Sequence, residues 1–254
     1  MIKLGAQLFS LRHYTKTAED LLATMKKVKE IGYENVQLSG AGPIPAEQIR
    51  DICKETGLEI VCTHSAWDRI VNDTDALIAD HKTFGCNVIG LGAMPKEFRG
   101  SAQGLENLIA ALAEPVKKIE AAGMHFAYHN HAFEFEKLSD ADGIMYDMML
   151  ERCPNWHFIM DTYWVSFGGG CPIDYITKIG TERLVNIHFK DMAKDEARSI
   201  CACGNGVLDF AKIYETCKQI GVKNILVEQD NADDQGNAFG EMETSFRHLR
   251  PIIK

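Results

Sequence analysis

A junction that recurs along the chain limits what it can fold into. In each case a helical stretch ends at a glycine, and an apolar run begins one to three residues later. A glycine in this place is typical of the left-handed residue that closes a helix. The pattern therefore predicts helices that alternate with strands. The glycines concerned are Gly32, Gly57, Gly85, Gly123, Gly180 and Gly221.

Six such junctions, an opening strand and one further strand make eight β segments. Strict alternation implies parallel strands joined by right-handed crossovers. Eight strand–helix units in 254 residues favour a closed barrel over an open doubly wound sheet, and no strand is followed by Gly-x-Gly-x-x-Gly. We predict strands at roughly 2–8, 34–38, 58–64, 87–92, 124–131, 157–161, 184–189 and 224–229, and a last helix at about 238–252.

The fold class predicted is therefore α/β, with a single (β/α)8 barrel domain over residues 1–254. The formal charge of -9 disfavours a nucleic-acid partner, because phosphate binding is driven largely by Lys and Arg. The chain has no apolar run near the ~20 residues that span a membrane and no signal-peptide pattern. Its eight cysteines form no Cys-x-x-Cys pair. We expect a cytoplasmic protein with free thiols and no membrane partner.

Polar side chains end the last four predicted strands. Alternation along the fifth strand turns His129 and His131 inward, and Asp161, His188 and Glu228 end the next three strands. Catalytic groups of such barrels lie at this end of the strands. One histidine there is usually structural, and Asp161 alone would suit a helix cap. Four candidates on consecutive strands instead predict one divalent metal ion, namely Mn, Co, Zn, Fe or Mg, with His129, Asp161, His188 and Glu228 as ligands.

At these residues the chain resembles the xylose-isomerase-like TIM-barrel superfamily of sugar phosphate isomerases and epimerases, to which inosose dehydratase and type IV AP endonucleases are related. The resemblance covers nearly the whole chain. It implies that Asp161, His188 and Glu228 are metal ligands. The segments that carry it are GAQLFSLR at 5–12, YHNHAFEF at 128–135, DTYW at 161–164, HFKD at 188–191, GNGVLD at 204–209 and VEQD at 227–230.

The chain departs from the family pattern at the fifth strand. Epimerases of the family have a glutamate there that binds the metal and moves a proton, and His129 stands in its place. The missing ligand then comes from His129, His131 or Glu134. We expect one of the two histidines to lie near the metal and Glu134 to face the substrate.

Further polar and aromatic residues fall at or just past strand ends and are predicted to bind the substrate. Trp164, which stands where family members often have a histidine, would stack on a sugar face. Lys190 would hold a hydroxyl, an oxyanion or a phosphate, or else pair with Asp191. The predicted substrate-binding residues are Gln7, Arg12, Gln37, His64, Trp164 and Lys190.

The resulting hypothesis is a metal-dependent isomerase or epimerase of a small sugar or keto-sugar, phosphorylated or not. A metal-polarised carbonyl would acidify the neighbouring C–H, and Glu228, Glu134 and His131 are the candidate catalytic residues. The alternative is a dehydratase or hydratase, a lyase acting on inososes or 3-keto sugars, and a non-catalytic sugar-binding protein is a further one. A nuclease is disfavoured, because the extra His and Asp ligands are missing. The resemblance is compatible with a homo-oligomer.

Overall fold

Eight parallel strands close into a barrel in the computed structural model, which describes residues 1–234 and 236–253. Neighbouring strands follow each other around the barrel, and the last strand pairs with the first. The strands are β1 (Lys3–Gln7), β2 (Asn35–Leu38), β3 (Glu59–Ser65), β4 (Val88–Leu91), β5 (His125–His129), β6 (His157–Asp161), β7 (Leu184–Phe189) and β10 (Asn224–Val227), with a short antiparallel hairpin of β8 (Asp191–Met192) and β9 (Ile200–Cys201) after β7.

Helices surround the barrel and connect its strands. Short 3-10 helices lie at Leu8–Tyr14, Lys96–Phe98 and Phe133–Phe135, in loops at the C-terminal ends of β1, β4 and β5. The α-helices are α1 (Ala18–Ile31), α2 (Ala46–Thr56), α3 (Trp67–Asn72), α4 (Thr74–Phe84), α5 (Ala102–Ala121), α6 (Met145–Arg152), α7 (Thr162–Phe167), α8 (Pro172–Ile179), α9 (Phe210–Ile220) and α10 (Ala238–Leu249). The predicted (β/α)8 barrel is confirmed.

The glycine junctions end helices as predicted. Gly32 closes α1 at φ 117° and donates its N–H to the carbonyls of Lys29 and Val28. Gly57 closes α2 in the left-handed region at φ 65°. All six junction glycines have positive φ, a conformation that costs other residues about 1 kcal/mol or more. This conformational requirement explains why the repeat is visible in the sequence.

The hydrophobic core has two parts, which the alternation of strand residues separates. Phe126 and Tyr128 of β5 belong to the large cluster between barrel and helices, whereas Ala127 faces the barrel interior. A small apolar cluster fills that interior beneath the C-terminal ends of the strands. It consists of Cys62, Val88, Ala127, Ile159 and Leu226.

Several predicted boundaries shift in the structure. Strand β5 ends at His129, so His131 lies in the following loop, and β10 ends at Val227, one residue before Glu228. The β8–β9 hairpin is not predicted from the sequence, because its strands are only two residues long. None of the helices in the described residues combines the length and the hydrophobicity that crossing a bilayer requires.

Candidate metal and substrate site

Four side chains from the ends of β5, β6, β7 and β10 meet at the C-terminal mouth of the barrel. They are His129, Asp161, His188 and Glu228, the set that the sequence predicts as metal ligands. Each is at most 4% exposed. One nitrogen or carboxylate oxygen from each lies within 4.8 Å of those of the other three. Neighbouring strands thus bring two imidazoles and two carboxylates to one point.

The distances within this cluster are those of groups that face one another. His188 Nδ1 lies 2.9 Å from Glu228 Oε2 and 3.7 Å from Asp161 Oδ2. His129 Nε2 lies 3.6 Å from Asp161 Oδ2 and 4.0 Å from Glu228 Oε2. The space between these atoms can therefore be reached by one donor atom from each side chain.

Three of these converging atoms have no hydrogen-bond partner. His129 Nε2, His188 Nδ1 and Asp161 Oδ2 are all buried, and none of them makes a hydrogen bond of acceptable geometry. A buried polar atom left unpaired costs about 1–3 kcal/mol. Mixed imidazole and carboxylate donors suit a divalent transition metal. The unpaired atoms and the chemistry of the set fit a metal ion.

Both histidines are oriented by a bond on the other side of the ring. His188 Nε2 donates to Gln37 Oε1 at 2.6 Å, and His129 Nδ1 donates to the carbonyl of Gly92 at 3.0 Å. In the neutral form of each ring, the opposite nitrogen then carries no proton, and it faces the cluster. Such outer bonds select the tautomer in metal sites.

The two carboxylate oxygens of Asp161 have different surroundings. Oδ1 accepts from the backbone N–H of Trp164 at 2.9 Å and so caps the N-terminus of α7. Oδ2 points into the cluster. The Asp161 N–H in turn donates to Asn130 Oδ1 at 3.0 Å. The helix-cap interpretation and the metal-ligand interpretation of Asp161 are therefore compatible.

Lys190 places a buried ammonium group beside the cluster of candidate ligands. Its side chain is 1% exposed, and Nζ lies 2.7 Å from Asp230 Oδ2, 3.4 Å from Glu228 Oε2 and 3.6 Å from Asp161 Oδ2. Burial alone would lower the pKa of Lys190, but the three carboxylates outweigh it and raise that pKa. The alternative pairing of Lys190 with Asp191 is wrong, since the Asp191 carboxylate accepts backbone N–H groups instead.

The same charges shift the acidity of the candidate ligands. Burial would raise the pKa of Asp161, but Lys190 and the two histidines outweigh it and lower the pKa to about 2. For Glu228, Lys190 and His188 likewise overcome burial and hold the pKa well below its ordinary value. Burial would lower the pKa of His188, but Glu228 and Asp161 raise it to about 9. The two carboxylates are ionised and attract a cation.

A cavity of about 260 Å³ opens next to the cluster. Of the predicted substrate-binding residues, His64, Trp164 and Lys190 line it, as does His131, a candidate catalytic residue. Asp230 also lines it and was not singled out in the sequence, although its position two residues after Glu228 is a signal that it shares that face. The lining residues are Phe9, Ser39, His64, Gly92, Ala93, His129, His131, Trp164, Lys190, Glu228 and Asp230.

Three other predicted substrate-binding residues lie behind this surface and support it. Gln7 is fully buried, and its side chain accepts from the Phe9 N–H and contacts His64 Nδ1 at 3.4 Å. Arg12 donates to the carbonyls of Phe9 and Asp230, both at 2.9 Å. Gln37 holds His188, as described above. None of the three is among the described residues that line the cavity.

Glu134 does not face the cavity, contrary to the prediction. The 3-10 turn Phe133–Phe135 folds its carboxylate underneath the loop, where it accepts from Tyr128 Oη at 2.5 Å and from the His131 N–H at 2.8 Å. The side chain is fully buried. Burial raises the pKa of Glu134 to about 7, against the opposing effect of these hydrogen bonds. In this position Glu134 supports the loop that presents His131.

Comparison with known proteins places the chain among related barrels. The model of the family described as xylose isomerase-like TIM barrel matches residues 25–252. No curated protein sequence matches the chain.

Three solved structures share the fold. A sugar phosphate isomerase/epimerase from Parabacteroides distasonis ATCC 8503 has a TM-score of 0.82 at 24% identity, with 99% of this chain and 100% of the other covered. D-Allulose 3-epimerase from Methylomonas sp. has a TM-score of 0.71 at 15% identity, covering 99% and 98%. A probable 3-DHS dehydratase from Bacillus anthracis has a TM-score of 0.73 at 15% identity, covering 98% and 99%.

Proposed function

The chain belongs to the xylose isomerase-like TIM barrel family, as the resemblance of its motifs indicates, and from this membership and its site we propose a metal-dependent isomerase or epimerase of a small sugar or keto-sugar. One observation carries the proposal. His129, Asp161, His188 and Glu228 present mutually close donor atoms, three of them unpaired, beside a cavity large enough for a small molecule.

The proposed metal ligands are these same four side chains. They would hold a divalent ion there, which would supply the Lewis acidity that polarises a substrate carbonyl and acidifies the adjacent C–H. Gln37 and Gly92 keep the two imidazoles in the required tautomer. Lys190 balances part of the negative charge of Asp161 and Glu228.

Proton transfer is assigned to Glu228 and His131. Glu228 is an ionised carboxylate at the cavity wall, since its pKa is held low. His131 lines the same cavity with Nδ1 unpaired, and burial together with His129 lowers its pKa to about 3, so that its imidazole is neutral. The two groups follow β10 and β5, which are not adjacent in the barrel. A general base and a second group elsewhere on the wall are what an isomerase or epimerase needs.

The cavity also offers hydrogen bonds to hydroxyl groups. Trp164 Nε1 and His64 Nε2 are buried, line the cavity and have no partner in the described residues. Both atoms lie on residues that the sequence predicts as substrate contacts. A polyhydroxylated substrate would satisfy these atoms at little cost, whereas an apolar one would leave them unpaired.

A lyase is the second candidate, and the fifth strand favours it. His129 replaces the carboxylate that family epimerases have there, so Glu228 is left as the one carboxylate among the two proposed proton-transfer groups. One carboxylate suffices for dehydration of an inosose or a 3-keto sugar, because Glu228, once it has taken the α-proton, can return that proton to the departing β-hydroxyl, which leaves as water. The similar structure from Bacillus anthracis is that of a probable 3-DHS dehydratase.

Incubation with candidate keto-sugars in deuterated water tests both candidates. Mn- or Co-loaded protein should incorporate solvent deuterium into the substrate. Mass gain without loss of water supports the isomerase or epimerase, and loss of water supports the lyase. Glu228→Gln should abolish the signal, while Glu196→Gln, at an exposed position, should retain it. A metal-loaded protein that does neither with any sugar contradicts the proposed function.

A further inference from the structure

We infer that the substrate is an uncharged sugar without a phosphate group. The inference rests on the proposed function and narrows its substrate class. Two independent features of the site carry it: the pairing of the cation at the cavity wall, and the use that the loop after β7 makes of its backbone N–H groups.

The first feature is that the ammonium group at the cavity wall is already paired. Lys190 is the only Lys or Arg among the described residues that line it. Its ammonium group faces Asp161, Glu228 and Asp230 at 2.7–3.6 Å. Together these four side chains carry a net charge of about -2, so the ammonium charge of Lys190 is already balanced within the protein. A phosphate group, with about -1.5 to -2 charges at neutral pH, would find no unpaired lysine or arginine among the described residues of this wall.

Two arginines of neighbouring loops do not supply that charge. Arg12 donates to two backbone carbonyls and lies against the Phe9 ring, 4.5 Å from its centroid. Arg99 donates twice to the carbonyl of Met94 and lies 3.9 Å from the centroid of the Phe133 ring. Neither guanidinium lines the cavity. Both guanidinium groups bind carbonyls and aromatic rings of the loops and so hold the loops in place.

The second feature is the loop after β7, whose backbone N–H groups are already hydrogen-bonded to a carboxylate of the chain. In barrels of this type, substrate phosphates frequently bind to backbone N–H groups of the loops that follow strands seven and eight. Here the loop after β7 wraps its N–H groups around the Asp191 carboxylate, which is fully buried. Oδ1 accepts from Met192 and Leu208 at 2.8 and 3.1 Å, and Oδ2 accepts from Gly204 and Gly206 at 2.9 and 3.0 Å.

The loop packs closely around that carboxylate. A Cβ placed on Gly206 would lie 2.3 Å from Asp191 Oδ1 and 2.4 Å from the Met192 carbonyl oxygen. Asp191 is part of the chain and satisfies four donors at once. These four N–H groups are therefore committed to a carboxylate of the chain itself and are not offered to a substrate phosphate.

Matched pairs of sugars test the inference. Each free keto- or aldo-sugar and its monophosphate are compared in deuterium incorporation or water loss, with metal-loaded wild-type protein. We expect turnover of at least one free sugar and at least about a hundredfold lower kcat/KM for its monophosphate, because the phosphate would be desolvated without a partner. Preference for a monophosphate overturns the inference while the proposed function stands. Absence of turnover with every member overturns both.

The Asp230→Asn variant tests the charge argument directly. It keeps the side-chain shape and removes the carboxylate nearest to Lys190 Nζ. We expect the ratio of kcat/KM for the free sugar to kcat/KM for its monophosphate to fall by about tenfold, which corresponds to about 1.4 kcal/mol. Asp174→Asn, at an exposed position on α8, should leave the preference unchanged. A preference that Asp230→Asn does not alter overturns the role of charge pairing at Lys190.

Discussion

Gln37 on β2 accepts a 2.6 Å hydrogen bond from His188 on β7, so that two strands that are not neighbours are joined through the barrel interior. The bond leaves His188 Nδ1 facing Asp161 and Glu228. Gln37 was predicted to touch the substrate, but its position is that of a group that orients His188, a proposed metal ligand.

Removing this acceptor should weaken metal binding without removing a ligand. Gln37→Met keeps the length of the side chain but cannot accept the hydrogen bond. Since loss of an outer hydrogen bond to a metal-binding histidine typically costs 10–100-fold in affinity, we expect a decrease of about that size. Competition with a chromophoric chelator measures it. Gln48→Met, on the exposed face of α2, is the control, and equal affinity of Gln37→Met and wild type would contradict the assigned role.

Metal retention should depend on the two proposed carboxylate ligands. Asp161→Asn can still cap α7 through its amide oxygen but turns an N–H₂ group or a neutral oxygen to the cluster. We expect Asp161→Asn and Glu228→Gln to lose at least about a hundredfold in affinity while the fold persists. Metal analysis after dialysis and circular dichroism measure both properties, with Asp174→Asn as the exposed control. Full metal content in either variant would mean that the ligands are misassigned.

Substitution of Glu134 should lower the reaction rate and leave the metal affinity unchanged. Glu134→Gln replaces one accepting oxygen with an N–H₂ group, so that the bonds from Tyr128 and from the His131 N–H cannot both be kept. A displacement of His131 by about 1 Å can cost up to about a hundredfold in kcat, and we expect a loss of about ten- to a hundredfold. Deuterium exchange into the substrate measures the loss of rate, and metal analysis measures any loss of the ion. The exposed Glu136→Gln is the matched control. A loss of metal from Glu134→Gln would indicate a ligand instead.

His81 should make the stability of the barrel depend on pH. It is 2% exposed and is hydrogen-bonded to Thr63 Oγ1 and to the Leu77 carbonyl. Burial lowers its pKa from 6.5 to about 4, against the opposing effect of the Leu77 bond. Because the folded pKa is the lower one, the unfolded chain takes up the proton first. The stability that neutral His81 contributes is complete above pH 6.5 and is lost as the pH falls towards 4.

The size of this effect is about 1.4 kcal/mol per pH unit and about 3 kcal/mol in total. Urea unfolding of wild type and His81→Gln between about pH 7 and pH 5 measures it, because contributions from other groups cancel in the difference. We expect the free energies of unfolding of the two proteins to converge as the pH falls. A difference that stays constant over this range would show that His81 does not titrate as described.

Much of the fold could be predicted because its signals are local. The glycine at each of the six junctions reflects the positive φ of a helix end, and the alternation Phe126, Ala127, Tyr128 reflects the pleat of a strand. Both depend on neighbours within a few residues. Parallel strands also end at one side of the barrel, so the spatial proximity of the four candidate ligands follows from the strand assignment alone.

The roles of individual side chains were less predictable, because they depend on the paths of loops. Lys190 pairs with Asp230, which lies 40 residues away in sequence, rather than with the adjacent Asp191. Glu134 turns under its loop because Tyr128 and the His131 N–H bind its carboxylate. Spacing in the sequence says which strand end a residue follows. It does not predict the direction in which a flexible side chain points from its loop.

The sequence by itself determined the barrel, the end of the barrel that carries the site and the chemical types of the four candidate ligands, since backbone geometry and strand period dictate all three. Tertiary structure decided which polar residues line the cavity and which stand behind it. Gln37 and His188 are 151 residues apart, and a partner at that distance is selected by three-dimensional packing and burial, which no local pattern encodes.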